Sequence, residues 1–243
     1  MVAGGCDIPP PYGGLAGRIL NNAAIWELEH DVHILLPWGK AKPDLLGTRR
    51  TRLHSIYPPR PTALGDKIRL FLRLRLPSAL AALVRKPALS VDLLRETRLL
   101  LTARKGYHAL TAMVDALTYA ATLDDLLAQE RIEVIQAHYA RQETLLCEIV
   151  AQRRGVPVVV LTYAEAVCWP EEGEVITEEA LHGVMPQWDP LFKRTFQAAE
   201  RVCTPSAHCA QGPRRFVPES KIAITKSSGT NVNTPPRSDG VKE

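Results

Sequence analysis

Three short clusters in this 243-residue chain close segments that read as β-strands, and a fourth opens a helix; each carries groups suited to chemistry. His138, Tyr139 and Arg141 end the run "EVIQAHY"; Thr162, Tyr163 and Glu165 end "VPVVVLTY"; Ser206 ends "RVCTPS". Tyr12, Gly13 and Gly14 lie in "DIPPPYGGLAGRILNN", just ahead of a helix beginning near Gly14. A strand-end histidine supplies a ring that titrates near neutral pH, and tyrosine or arginine beside it supplies hydrogen bonds to a polar ligand. Because the interior of its strand is apolar, the His138 ring is expected at the rim of the sheet, either as an ordinary hydrogen-bonded residue or as a catalytic group. The glycine loop sets proline's fixed φ beside glycine's open one, so it is built for a particular shape. It reads as a tight strand-to-helix turn or as a backbone cradle for phosphate, and it lacks the GxGxxG spacing and the Walker lysine that would decide.

Other chemistries have no signal. There is no GxSxG elbow and no HExxH. The five glutamates of "PEEGEVITEEA" (Pro170 to Ala180) lack the spacing of a calcium loop and read as a solvated segment. His30, His33, His54, His108, His182 and His208 follow no repeated spacing. Cys6, Cys147, Cys168, Cys203 and Cys209 are odd in number and scattered, with no CxxC. No metal is expected, and the cysteines read as reduced packing residues.

These clusters must be held by an alternating pattern of elements. "VHILLPW" (Val32 to Trp38) and "RLHSIY" (Arg52 to Tyr57) read as strands, as do the runs at Glu133 to Tyr139, Val156 to Tyr163, Arg201 to Ser206 and Lys221 to Ser227. Helical segments over 141–154, 187–200 and 207–217 separate the later ones. Residues 65–130 carry helix formers, which Pro77, Pro87 and Gly106 should break into three or four helices. Within them "IRLFLRLRL" (Ile68 to Leu76) alternates almost like a strand, yet its setting favours helix. Near-continuous Val/Ile/Leu strands alternating with helices predict a Rossmann-like, doubly wound α/β domain with a mostly parallel sheet covered on both faces. In such a sheet ligands bind outside the carboxyl ends of the strands, where the clusters lie. The domain should span 1–226, with 227–243 as a polar, proline-bearing linker; only "MVA" precedes the first glycines, so the first strand is expected to be short.

Composition sets the frame. The chain is 46% hydrophobic and 23% charged, typical of a globular domain. It has no apolar run near the roughly 18 residues of a membrane span and no signal-peptide pattern, so a cytoplasmic location is expected. The net charge of +4 hides an asymmetry: Lys40 to Lys105 holds 16 basic against 4 acidic residues, a local balance of +12. That excess reads as a solvated helical face or as attraction to an anionic ligand or surface.

Taken in order, "PPPYGGLAGRILNN", "HDVHIL", "IEVIQAHYARQETLL", "GVPVVVLTYAE", "AAERVCTPS" and "KIAITKSSGTNVN" resemble the N-terminal, acceptor-side domain of family 4-like glycosyltransferases of the GT-B fold. The resemblance implies a retaining, metal-independent transferase with no cofactor beyond its nucleotide-sugar donor. It implies that Gly13 and Gly14 approach the donor diphosphate and that His138 contacts the transferred sugar. Tyr12, Tyr139, Arg141, Tyr163 and Glu165 would then serve substrate or acceptor binding. The basic helical region would meet a glycan or lipid-linked acceptor, anionic in character, or the inner membrane face. The sequence departs from the family where Gln136 stands for the first histidine of His-x-His, where Tyr163 stands for a histidine, and where Glu29 stands for a glycine. The donor domain would follow "SSGTNVN", so these residues alone are expected to show little transfer. A non-catalytic α/β subunit that pairs with a separate donor-domain protein, and a gene fragment without function, stay open beside this reading.

Overall fold

A computed structural model describes residues 14–39, 50–59, 61–101, 107–162 and 188–225. The chain is α/β, and every strand pair is parallel. Helix α1 (Gly14–Trp26) leads into β1 (Val32–Trp38), which pairs with β2 (Thr51–Tyr57) in the register Ile34 opposite Leu53. A helical block follows: α2 (Leu64–Leu70), a π-helical turn (Phe71–Arg75), α3 (Leu76–Arg85), α4 (Pro87–Arg95), α5 (Thr97–Leu100) and the long α6 (Tyr107–Gln129). Alternation then resumes with β3 (Ile135–His138), α7 (Gln142–Arg154), β4 (Val158–Leu161), α8 (Asp189–Ala198), β5 (Arg201–Thr204), the short α9 (Gln211–Arg214) and β6 (Ile222–Ile224). The strand orders are β1-β2 and β3-β4-β5-β6, and among the described residues no ladder joins the two. The expected "MVA" strand and the 227–243 linker lie outside the described residues.

The apolar run of β1 explains why both faces of the sheet are covered. Successive side chains alternate sides. Val32, Ile34 and Leu36 pack on one side with Ile19, Leu20 and Ala23 of α1, while Leu35 joins the main core on the other. That core brings Leu117 and Leu123 of α6, Leu145 and Val150 of α7 and Phe196 of α8 together with Ile135, Val160 and Val202 of the strands. All four residues of β3 are buried, although β3 ends the described order, whereas β6 at the other end is only partly covered. Helix α7 stops at Gly155, whose φ of 67° is left-handed and suits a residue without a Cβ.

One expectation for the helical block needed correction. Pro77 does not break its helix: α2, the π turn and α3 run on without interruption. The Leu76 N–H reaches back five residues to the Phe71 carbonyl, and this wider turn accommodates the proline one residue later, whose ring would otherwise crowd the carbonyl four residues before it. The basic excess of the 40–105 segment is also partly absorbed within the fold. Arg75, Arg85 and Lys86 pair with Asp115, Asp125 and Asp124 of α6. Arg95 pairs locally with Asp92, and Arg154 of α7 shares Asp124 with Lys86. Among the described residues no helix is long and apolar enough to cross a membrane.

Candidate functional site

The carboxyl ends of β1 and β2 open onto a cleft of about 810 Å³. Pro37 and Trp38 end β1, Ile56 and Tyr57 end β2, and all four line it. Lys67 and Leu70 of α2, Arg75 of the π turn, His108 to Tyr119 along α6, and Gln142, Glu143 and Leu146 of α7 complete the wall. Parallel strands leave such a crevice because their connecting helices diverge beyond the last ladder bond. Its size and its mixed apolar and polar lining are those of a small-molecule site.

Arg75 organises one side of the cleft. Its Nε donates to Asp115 Oδ1 at 2.8 Å, and Nη2 donates to Asp115 Oδ2 at 2.5 Å and to the Thr111 carbonyl at 3.3 Å. The guanidinium carbon sits 5.3 Å from the Trp38 ring centre, 5.8 Å from that of Tyr57 and 5.5 Å from that of Phe71. These distances lie within the range of cation–π attraction. The fork therefore fixes α6 to the π turn while its faces hold the two strand-end aromatics. Burial raises the Tyr57 hydroxyl above its usual value, so it is a neutral hydrogen-bonding group at physiological pH.

The turn from β3 to α7 forms a second feature. Tyr139 is the non-glycine residue with a left-handed backbone among the described residues, at φ 65°. Such a conformation costs roughly 1–2 kcal/mol. It is held by the Tyr139 N–H donating to the Leu161 carbonyl at 2.8 Å, by the Thr144 hydroxyl donating to the Tyr139 carbonyl, and by the Arg141 guanidinium 4.8 Å over the Tyr139 ring. Immediately after it, Gln142 Nε2 and Glu143 Oε2 are buried without a hydrogen-bond partner.

The structure brings His138, Tyr139 and Arg141 into this one turn, while Gly14 opens α1. His138 is not at an open rim as its strand-end position implied. It is 1% exposed, and neither ring nitrogen has a hydrogen-bond partner. Burial pulls its pKa down to about 3, so the imidazole is neutral. The cause is the burial of β3, which is complete to its last residue. Ser206 has a local role: its Oγ accepts the Cys209 N–H at 3.2 Å and its carbonyl accepts the Thr204 hydroxyl at 3.1 Å. Tyr12, Gly13, Tyr163 and Glu165 lie outside the described residues.

Sequence reasoning missed Arg75, Asp115, Gln142 and Glu143. Trp38 and Tyr57 could have been found from their place at the ends of strands, but nothing in the sequence links Arg75 to a carboxylate forty residues away. Among the described residues no group of three or more His, Cys, Asp or Glu side chains could hold a metal ion. Cys147, Cys203 and Cys209 are free thiols. The chain matches no protein-family profile and no curated protein sequence.

Proposed function

We propose that this chain is the acceptor-side domain of a retaining GT-B glycosyltransferase, moving a sugar from a nucleotide-sugar donor to a hydroxyl of a glycan or lipid-linked acceptor. The observation that carries the reading is the cleft of about 810 Å³ at the carboxyl edge of parallel strands, with aromatic, carboxylate and amide side chains among its lining. Such a mixture suits a sugar, whose C–H faces lie on aromatic rings and whose hydroxyls need both donors and acceptors. The left-handed Tyr139 adds support, since strain of this kind gathers at binding turns. In this reading Gly13 and Gly14 approach the donor diphosphate, a second domain supplies most donor contacts, and no metal takes part. His138 is neutral and 1% exposed, so in this structure its ring does not reach a sugar in the cleft. The exposed Leu64, Ile68 and Leu72, set among Lys67, Arg69 and Arg73, support peripheral seating on an anionic cytoplasmic membrane face.

The burial of His138 favours one second reading, a non-catalytic α/β module that binds a glycan and pairs with a separate donor-domain protein. Saturation-transfer NMR of the chain with a panel of oligosaccharides tests the shared premise, and a transfer assay with labelled nucleotide-sugars, run after a GT-B donor domain is grafted onto the chain, separates the two readings. We expect oligosaccharide binding that is lost in Trp38→Leu while the far-ultraviolet circular dichroism is kept. A chain that binds no oligosaccharide, or binds as well without Trp38, refutes the cleft as the acceptor site.

A further inference from the structure

We infer that the cleft selects uncharged, polyhydroxylated glycans and discriminates against anionic ones. This rests on the reading of the cleft as an acceptor site and reverses what the basic 40–105 segment suggested for it. Among the described residues the four Lys, Arg, Asp and Glu side chains on the lining balance: Lys67 and Arg75 against Asp115 and Glu143. Arg75, the residue best shaped to grip a carboxylate or phosphate, already holds Asp115 through a two-point fork, and Trp38, Tyr57 and Phe71 surround it. Lys67 is exposed on α2, where its charge is screened by water and salt.

The unmet hydrogen-bonding groups supply the selectivity. Gln142 Nε2 is a buried donor and Glu143 Oε2 a buried acceptor, neither with a partner, on consecutive residues of α7 that both line the cleft. A pair of neighbouring sugar hydroxyls satisfies both, because each hydroxyl can donate and accept. A carboxylate or phosphate only accepts. It satisfies Gln142 but brings a second negative charge against Glu143, whose buried oxygen then stays unpaired. Ile56, Leu70, Leu146, Trp38 and Tyr57 add apolar and aromatic surface to the lining.

The test uses matched pairs of probes: lactose with 3′-sialyllactose, and a neutral galactose trimer with trigalacturonate. Affinities for the chain are measured by NMR titration at two salt concentrations. We expect the neutral member of each pair to bind at least about tenfold more tightly, and Glu143→Gln to shrink that ratio to about twofold. Gln142→Leu, which removes the donor and adds no charge, should weaken neutral binding about fivefold and leave discrimination in place. Both variants are checked for unchanged circular dichroism, and either one alone suffices. Anionic members binding as tightly as the neutral ones overturns the inference while leaving the acceptor-site reading intact. So does a discrimination ratio that Glu143→Gln does not move. Failure of every saccharide to bind removes the acceptor-site reading itself, and the inference with it.

Discussion

Removing the Asp115 carboxylate should be as damaging as removing both members of the pair it makes with Arg75. The Arg75 side chain is 11% exposed and that of Asp115 34%. In Asp115→Ala the guanidinium keeps its aromatic surroundings and the Thr111 carbonyl but loses both charge-assisted bonds, and it stays buried. Breaking a buried pair from one side costs 3–5 kcal/mol; since Asp115 is one-third exposed, we take about 3 kcal/mol. Arg75→Met leaves a carboxylate that water can reach, so about 2 kcal/mol is expected, much of it lost packing against the three rings. Independent effects would sum to about 5 kcal/mol, whereas the double variant Arg75→Met/Asp115→Ala leaves no orphaned charge and should lose only about 3 kcal/mol, a coupling of about 2 kcal/mol. Urea unfolding of the four proteins, followed by circular dichroism, measures this cycle. A double variant that loses the full sum, or Asp115→Ala costing less than about 1 kcal/mol, refutes the view that this fork holds the cleft together.

Three further outcomes follow from other parts of the fold. His33 and His54 stack with ring centres 5.3 Å apart and share a 3.1 Å Nδ1···Nε2 hydrogen bond; burial, then the neighbouring histidine charge in the case of His33, lowers both below the ordinary 6.5. The folded state thus binds fewer protons than the unfolded, so stability present above pH 6.5 falls as pH drops toward the folded values, and a His54→Gln variant should show a flatter melting temperature between pH 7 and pH 5. Glu148 shows the opposite sign: burial raises its carboxyl well above the ordinary 4.5 although Arg194 stands 3.7 Å away. Its neutral form stabilises the fold fully below pH 4.5, and that contribution is lost as pH rises through the folded value, so Glu148→Gln should gain on the order of 1 kcal/mol at pH 8 relative to pH 5. If α2 and the π turn dock on anionic lipid, cosedimentation with phosphatidylglycerol vesicles should weaken as salt shortens screening below about 8 Å; equal recovery on neutral phosphatidylcholine vesicles contradicts it.

The strands were legible because burial on both faces leaves its mark in composition. "VHILLPW" and "VPVVVL" are dominated by β-branched and aliphatic residues, and β1 and β4 lie within them. Gly155, ahead of Val156-Pro157, likewise announced the end of α7. The helical block was legible only in kind. Its boundaries depended on Pro77, and a proline's effect on a helix depends on whether the preceding turn can widen. The π turn is a tertiary accommodation with no local sequence signature. The segment "IRLFLRLRL" is helical as its setting suggested, and the same turn gives its alternation another cause: Phe71 and Arg75 face inward while Leu72 is 56% exposed. A charged residue took the buried position because Asp115 and three rings were there to receive it.

That exchange also explains why the candidate site was half hidden. Residues at strand ends can be read from topology alone, since the carboxyl edge of a parallel sheet is where ligands bind, and His138, Tyr139 and Arg141 were placed by that rule. Whether such a residue meets solvent depends on what covers it. Nothing in "EVIQAHY" distinguishes a rim histidine from the buried, neutral ring that β3 carries. The cleft's own chemistry comes from pairings across 36 to 40 residues, Arg75 with Thr111 and Asp115, which only the packing of α6 against the π turn creates. A basic segment read without that partner predicts an anion receptor. With it, the Arg75 charge is already met by Asp115, and Gln142 and Glu143 carry the polar atoms of the lining that lack a hydrogen-bond partner.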